Sequence, residues 1–222
     1  MATRRAGLTR ERVLDTAIRL ADEGGIESLS MRKLARELGV EAMSLYNHVA
    51  NKGDLVDAIV DLVMDEIELP EGGAWDDAIR RCAVSANEVF LRHAWAAGLV
   101  LAPPNRPGIR EPRFRYMEWL LRTLREAGFS PRLTYSAYHT LDAHILGFTL
   151  WQLGHMAAAK AFAGEGSLAD LAAQFISEIS PEYPFLVEHV EEHMAAAPGD
   201  GEREYEFGLD LILEGLRRAL AA

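Results

Sequence analysis

The chain has 222 residues, 49% of them hydrophobic and 26% charged, and carries a formal net charge of −11 at pH 7. That is enough apolar material for one or two packed domains, and taken over the whole chain it is the wrong sign for a protein that coats nucleic acid. A single cysteine, Cys82, excludes an internal disulfide framework or a cysteine-built zinc site and fits a reducing cytoplasm.

The charge is uneven. Residues 1–52 hold nine Lys/Arg against seven Asp/Glu, a surplus of +2, which leaves −13 on the remainder. A basic tip on an acidic body is compatible with DNA binding, because salt screens contacts beyond about 8 Å. The opening MATRRAGLTRER has no apolar run for a signal peptide, and the apolar stretch Ala94–Pro104 is too short for a bilayer, so no membrane partner is expected.

In chain order, residues 1–8 read as a basic arm, with Arg4 and Arg5 as candidates for phosphate or minor-groove contact. Thr9 caps a first helix whose Val13, Leu14, Ala17, Ile18 and Ala21 recur at helical spacing, and Gly24-Gly25 stop it. Ser30 caps a second helix with Leu34, Ala35 and Leu38 inward, closed by Gly39 in the left-handed conformation. A third helix, Glu41 to Val49, turns Val40, Leu45 and Val49 inward. Its other face, Ala42, Met43, Ser44, Tyr46, Asn47 and His48, lacks the Glu/Lys mixture of an ordinary solvated surface. Two helices joined by a short Gly-containing turn can place the second in a major groove. Asn51-Lys52-Gly53-Asp54 opens a fourth helix that runs to Ile67, and Leu69–Gly73 marks a boundary.

Beyond it, Trp75 to His93 reads as a long helix and Ala102–Pro112 as a loop. Phe114 to Ala127 follows as a helix closed by Gly128. Ser130-Pro131 opens a helix towards Ala158 that is apolar nearly all round and so buried on more than one side. Leu168–Ile179, Phe185–Met194 and Tyr205–Leu220 complete the set. No run alternates as a strand would, so the fold class is all-α, with residues 1–67 as a helix-turn-helix domain and residues 68–222 as a larger helical domain.

The residues Leu29-Ser30-Met31-Arg32-Lys33-Leu34-Ala35, Leu38-Gly39-Val40, Leu45-Tyr46-Asn47-His48-Val49 and Asn51-Lys52 resemble the helix-turn-helix of the tetracycline-repressor (TetR) family. A weaker likeness to that family's ligand-binding half extends to the C-terminus. Ala42, Met43 and Ser44 are the candidates for direct base contact, apolar for thymine methyl groups and hydroxylic for several bases. Tyr46, His48 and Lys52 suit phosphate, Asn47 a base or phosphate, and the opening N–H groups near Gly53-Asp54 an anion. Arg32 and Lys33 open the preceding helix, and the resemblance implies a base contact for Arg32.

Gly147 and Gly154, and likewise Gly208 and Gly215, stand seven apart, so each pair notches one helix face. With Leu150, Leu211 and Ile212 beside them, they form a candidate four-helix interface in a symmetric homodimer, which the resemblance also implies. The aromatic and polar residues His93, Trp95, Tyr116, Trp119, Tyr135, Tyr138, His139, Asp142, Phe148, Trp151 and Phe175 are candidate walls of a small-molecule pocket. Ala96 to Pro107 holds no His or carboxylate, which argues against a magnesium–tetracycline complex. By resemblance, an unidentified effector there would shift the fourth helix and release an inverted-repeat operator on double-stranded DNA. Two other classes compete with this reading. An enzyme has little support: there is no phosphate loop and no nucleophile elbow, His189-Val-Glu-Glu-His193 is a chance-level metal pattern, and His139, Asp142 and His144 are a sparse cluster. The other is a ligand-binding dimer with a vestigial DNA-reading end. No catalytic residue, metal or cofactor is expected.

Overall fold

A computed structural model describes residues 7–102, 111–162, 173, 176–177, 182–195 and 200–222. Among the described residues there are ten α-helices and no strand. The expected helix over Leu168–Ile179 lies largely outside them, as do Arg4 and Arg5. The N-terminal head comprises α1 (Arg10–Gly24), a 3-10 turn (Ile26–Ser28), α2 (Met31–Leu38), α3 (Ala42–Leu45) and α4 (Lys52–Asp65). The body comprises α5 (Trp75–Arg92), α6 (Ala94–Val100), α7 (Glu111–Glu126), α8 (Pro131–Phe162), α9 (Pro184–Ala195) and α10 (Asp200–Ala221).

Local chemistry sets the head's boundaries. Thr9 accepts from the Arg12 N–H at 3.2 Å and Ser30 from the Lys33 N–H at 3.2 Å, each satisfying an orphan donor of its helix. Gly39 sits at φ 67°, ψ 36°, where a Cβ would be strained, and lets the chain reverse from α2 into α3. Fully buried Val13, Ala17, Leu34, Leu45, Leu55 and Ile59 close the head's core.

The head's core does not stop at Leu69. One continuous apolar cluster runs from Val13 through Val63, Met64 and Ile67 into Ile79, Phe90, Leu124, Leu141 and Leu209. Two departures from the sequence reading matter. Ala94–Val100 forms a helix of its own, set at an angle by His93 at φ −111°, ψ 60°. The third helix is one turn rather than nine residues: Tyr46, Asn47 and His48 continue as turns, bonded to Met43, Ser44 and Leu45 carbonyls. No side chain caps α3, and Asn51 must already be extended at φ −166° to cap α4, so the chain has to straighten within a few residues.

Helix α8 is buried only along its first two-thirds. Thr134, Ala137, Leu141, Ile145 and Thr149 are enclosed, whereas Leu150, Trp151 and Met156 are exposed. A buried polar chain ties it to its neighbours. Asn87 on α5 donates to Thr149 Oγ1 at 2.7 Å and to Gln152 Oε1 at 2.8 Å, and Gln152 donates to the Gly201 carbonyl at 3.0 Å. The Tyr205 hydroxyl donates to the Ala83 carbonyl at 2.6 Å, and His144 Nε2 donates to the Tyr205 carbonyl at 2.9 Å while its ring stacks on Tyr205.

This packing corrects one expectation. Gly208 was paired with Gly215 as a notch for a partner chain, but a Cβ on Gly208 would meet His144 Cε1 of the same chain at 2.5 Å. Gly208 is therefore small to let α10 reach α8. A Gly→Ala change ordinarily stabilises a helix interior by about 1 kcal/mol. Gly208→Ala is expected to lower the urea midpoint instead, since the imidazole must leave its Tyr205 bond, while His144→Ala in the same chain restores most of the loss.

Candidate nucleic-acid interface and ligand cavity

The α2–α3 turn presents a mixed surface. Leu45 and Val49 are buried and anchor the segment, while Met43 is 73% and Tyr46 45% exposed. Asn47, Lys52 and Arg32 are exposed, and Ala42, Ser44 and His48 are half-buried. An apolar side chain as exposed as Met43 has no packing role within the chain. Lys33 is less available than expected, because its Nζ donates to Ser28 Oγ at 3.1 Å. The anion site expected at the start of α4 is already served by protein. Asn51 Oδ1 accepts from the Asp54 N–H at 2.9 Å, and Asp54 Oδ2 accepts from the Ala50 N–H at 2.8 Å, one bond on the cap and one on the residue before it.

Head and body meet at a polar joint. Asp22 Oδ1 on α1 accepts from His93 Nδ1 at 2.8 Å and from Trp95 Nε1 at 2.7 Å. An ionised carboxylate only accepts, so Nδ1 carries the imidazole proton. His93 Nε2 lies 3.4 Å from Glu66 Oε1 without a well-directed hydrogen bond, and Arg92 reaches Glu66 Oε2 at 2.5 Å. Arg115 on α7 also pairs with Asp65, at the end of α4. Thus His93 and Trp95, expected in a pocket, bind the elbow between α5 and α6 to the head.

A cavity of about 320 Å³ lies between α4, α5, α6, α7 and α8. Its wall is largely apolar and includes Met64, Ile67, Phe90, Phe114 and Ile145. The polar part is Tyr116, Tyr138, Asp142 and Arg113. Tyr116 donates to Asp142 Oδ1 at 2.8 Å, and Tyr138 lies one turn before Asp142 on α8. Burial raises the Asp142 carboxyl above the ordinary range, against the pull of the two phenols and His139. Burial, and then the Asp142 charge, push the Tyr116 phenol well up, so it stays a donor.

Of the eleven pocket residues expected from sequence, Tyr116, Tyr138 and Asp142 line this cavity. Trp119 instead donates to the Pro70 carbonyl at 3.0 Å, His139 is exposed beside Tyr135 and Tyr138, and Phe148 and Trp151 pack together near Tyr205. Phe175 lies outside the described residues. Arg113, Phe114, Met64 and Phe90 escaped the sequence reading because the apolar ones carry the same signal as core residues. His189 is exposed on α9, and among the described residues no three metal-binding side chains converge. Nor, among them, is any helix long and apolar enough to cross a membrane.

Comparison with known proteins covers both parts of the chain. Residues 13–59 match the family described as bacterial regulatory proteins, tetR family, and residues 69–220 match the tetracyclin repressor-like C-terminal domain. The class D tetracycline repressor protein of Escherichia coli is 33% identical, over 98% of this chain and 93% of that one. The HTH-type transcriptional repressor DrrR1 of Streptomyces coeruleorubidus is 31% identical, over 96% and 79% respectively. The crystal structure of ActR of Streptomyces coelicolor in complex with actinorhodin superposes with a TM-score of 0.73 at 27% identity, covering 98% of this chain and all of that one.

The joint at Asp22 can be weighed directly. Asp22→Ala leaves the His93 and Trp95 N–H groups without their acceptor, at a cost of about 1–3 kcal/mol. Equilibrium urea unfolding is expected to show that loss, with Asp22→Asn retaining part of it. Equal stability of all three forms would remove the joint from the account.

Proposed function

The chain belongs to the tetracycline-repressor family of bacterial regulatory proteins and is a DNA-binding, ligand-responsive transcriptional regulator; from that premise we propose a homodimeric repressor that leaves an inverted-repeat operator when a small molecule fills the α4–α8 cavity. Residues 1–67 act as the DNA-reading head and residues 68–222 as the ligand-binding and dimerisation body, with no catalytic step. The observation that supports this most is the position of α4. Its Leu55 and Ile59 are fully buried in the head's core, while Met64, one turn further on, is wall of the cavity, followed by Ile67 just past the helix. An occupant pressing on Met64 therefore acts on the helix whose cap begins two residues after Val49. Coupling of this kind is reciprocal, so operator DNA weakens effector binding by the same factor.

In the DNA complex Ala42, Met43 and Ser44 meet base edges, the first two against thymine methyl groups. Tyr46, His48 and Lys52 hold phosphate, with Asn47 on a base or phosphate. Arg32 reaches a base, and Lys33, tethered by Ser28, adds charge rather than a directed contact. For dimerisation the exposed apolar side chains Leu150, Trp151, Phe207 and Leu211 offer the surface. A Cβ added at Gly147, Gly154 or Gly215 meets nothing within 4 Å in the single chain, which leaves room for a partner helix there, with Ile212 half-buried alongside. Two-fold symmetry sets the half-sites about 34–36 Å apart, one helical turn or slightly more.

Two measurements test this. Titration of duplexes from the upstream region of its own gene should show that Tyr46→Phe and Lys52→Ala weaken binding to every sequence. Arg32→Ala should also relax discrimination at one base pair by about 1–3 kcal/mol. Identical losses on all operator variants would contradict the division of roles, and no operator binding at all would leave a ligand-binding dimer with a vestigial head. In the ultracentrifuge the unmodified chain should sediment as a dimer at micromolar concentration, and Gly215→Leu should shift it towards monomer without unfolding it.

A further inference from the structure

The polar end of the cavity is unbalanced in a way that selects a ligand. Tyr116 has one phenolic hydrogen and gives it to Asp142 Oδ1, and Tyr138 stands one turn before Asp142 on α8. What Tyr116 and Asp142 still offer an occupant is lone pairs: one phenol oxygen and a carboxylate with about four acceptor positions, not all of them used. Among the described residues no Lys, Arg or His nitrogen stands in ion-pair range of Asp142. Arg113, the cation among the described lining residues, donates to the Leu99 carbonyl at 3.1 Å and the Ala102 carbonyl at 3.5 Å at the end of α6, and its charge also acts on Tyr138. The rest of the wall is hydrocarbon and sulfur. A volume of about 320 Å³ is near the lower end of ligand sites, room for one compact ring system.

We propose that the effector is a compact apolar amine, bound as the ammonium with its N–H groups on Asp142 and its hydrocarbon body against Met64, Phe90 and Ile145. This rests on the cavity being the effector site. Asp142 is the specificity-determining residue, and Tyr116 is a positioning residue that fixes its carboxylate. A carboxylate-bearing ligand of the same shape meets acceptors where it needs donors and is rejected. Burial already disfavours the free Asp142 anion, so a cation arriving beside it relieves that penalty as well as adding a charge-assisted hydrogen bond.

The test uses full-length protein and three probes of one shape: 1-naphthylmethylamine, 1-naphthylmethanol and 1-naphthoate. Calorimetric titration is expected to rank the amine about tenfold or more above the alcohol, the equivalent of one charge-assisted hydrogen bond, with the carboxylate weakest. In Asp142→Asn the amine should fall to the level of the alcohol while the alcohol keeps its affinity. Naphthoate binding as well as the amine, or an amine preference that survives Asp142→Asn, overturns the proposal. The ranking in the unmodified chain decides the matter even if the variant does not fold. Operator release is read separately. Ranked binding with no release leaves the charge selectivity standing and removes the effector role, whereas no saturable binding by any probe removes the cavity as a site and this assignment with it.

Discussion

Helix α4 has to satisfy two packings with fourteen residues, and the arrangement of the chain follows from that constraint. At its start the Asp54 N–H to Asn51 Oδ1 bond and the Ala50 N–H to Asp54 Oδ2 bond fix where it begins, directly after the α3 turn. In the middle, Leu55, Ile59 and Val63 lock it into the apolar core with no exposed surface. At its end, Asp65 and Glu66 are held by Arg115 and Arg92 of the body. A rod gripped at both ends transmits displacement poorly through side-chain adjustment and well through rigid tilt. Close-packed interiors favour a few discrete arrangements over continuous deformation. That is the physical basis for a regulator with two states.

The polar groups divide into those that lock and those that select. Buried Asn87, Thr149, Gln152 and Tyr205, with half-buried His144, have partners on α5, α8 and α10, which fixes the register of helices whose apolar faces alone would slide. Asp22 does the same between head and body. Asp142 differs: its carboxylate is held by the Tyr116 phenol at the edge of empty space, with acceptor capacity left over. Most ion pairs elsewhere, such as Arg19 with Glu23 and Glu37, are exposed and contribute little to stability.

Signals that act within one turn of backbone were legible in the sequence. Thr9, Ser30, Gly39 and Asn51 announce helix ends because the side chain or the φ angle does the capping itself. What depends on distant partners was not. The bend at His93 is tied to Asp22, 71 residues away, which accepts a hydrogen bond from its ring, and nothing local to Ala94–Val100 reports that partner. His93 and Trp95 carried the right chemistry for a pocket and were spent on a joint. Residue type cannot say in which direction a side chain points, so Met64 and Phe90 were indistinguishable from ordinary core. The expected nine-residue recognition helix failed for a related reason: the periodicity of Leu45 and Val49 survives in a turn that keeps one i to i−4 bond, so the pattern could not report its length.

The unbroken apolar cluster between head and body has a consequence for how this chain can be taken apart. Severed after Leu69, the first helices would lose the cover that Trp95 and Ala96 supply over α1 and α4, and Asp22 would lose its two donors. The DNA-reading piece is thus not a portable cassette that can be spliced onto another sensor at that point. A working chimera has to carry the elbow formed by the end of α5 and all of α6 along with it.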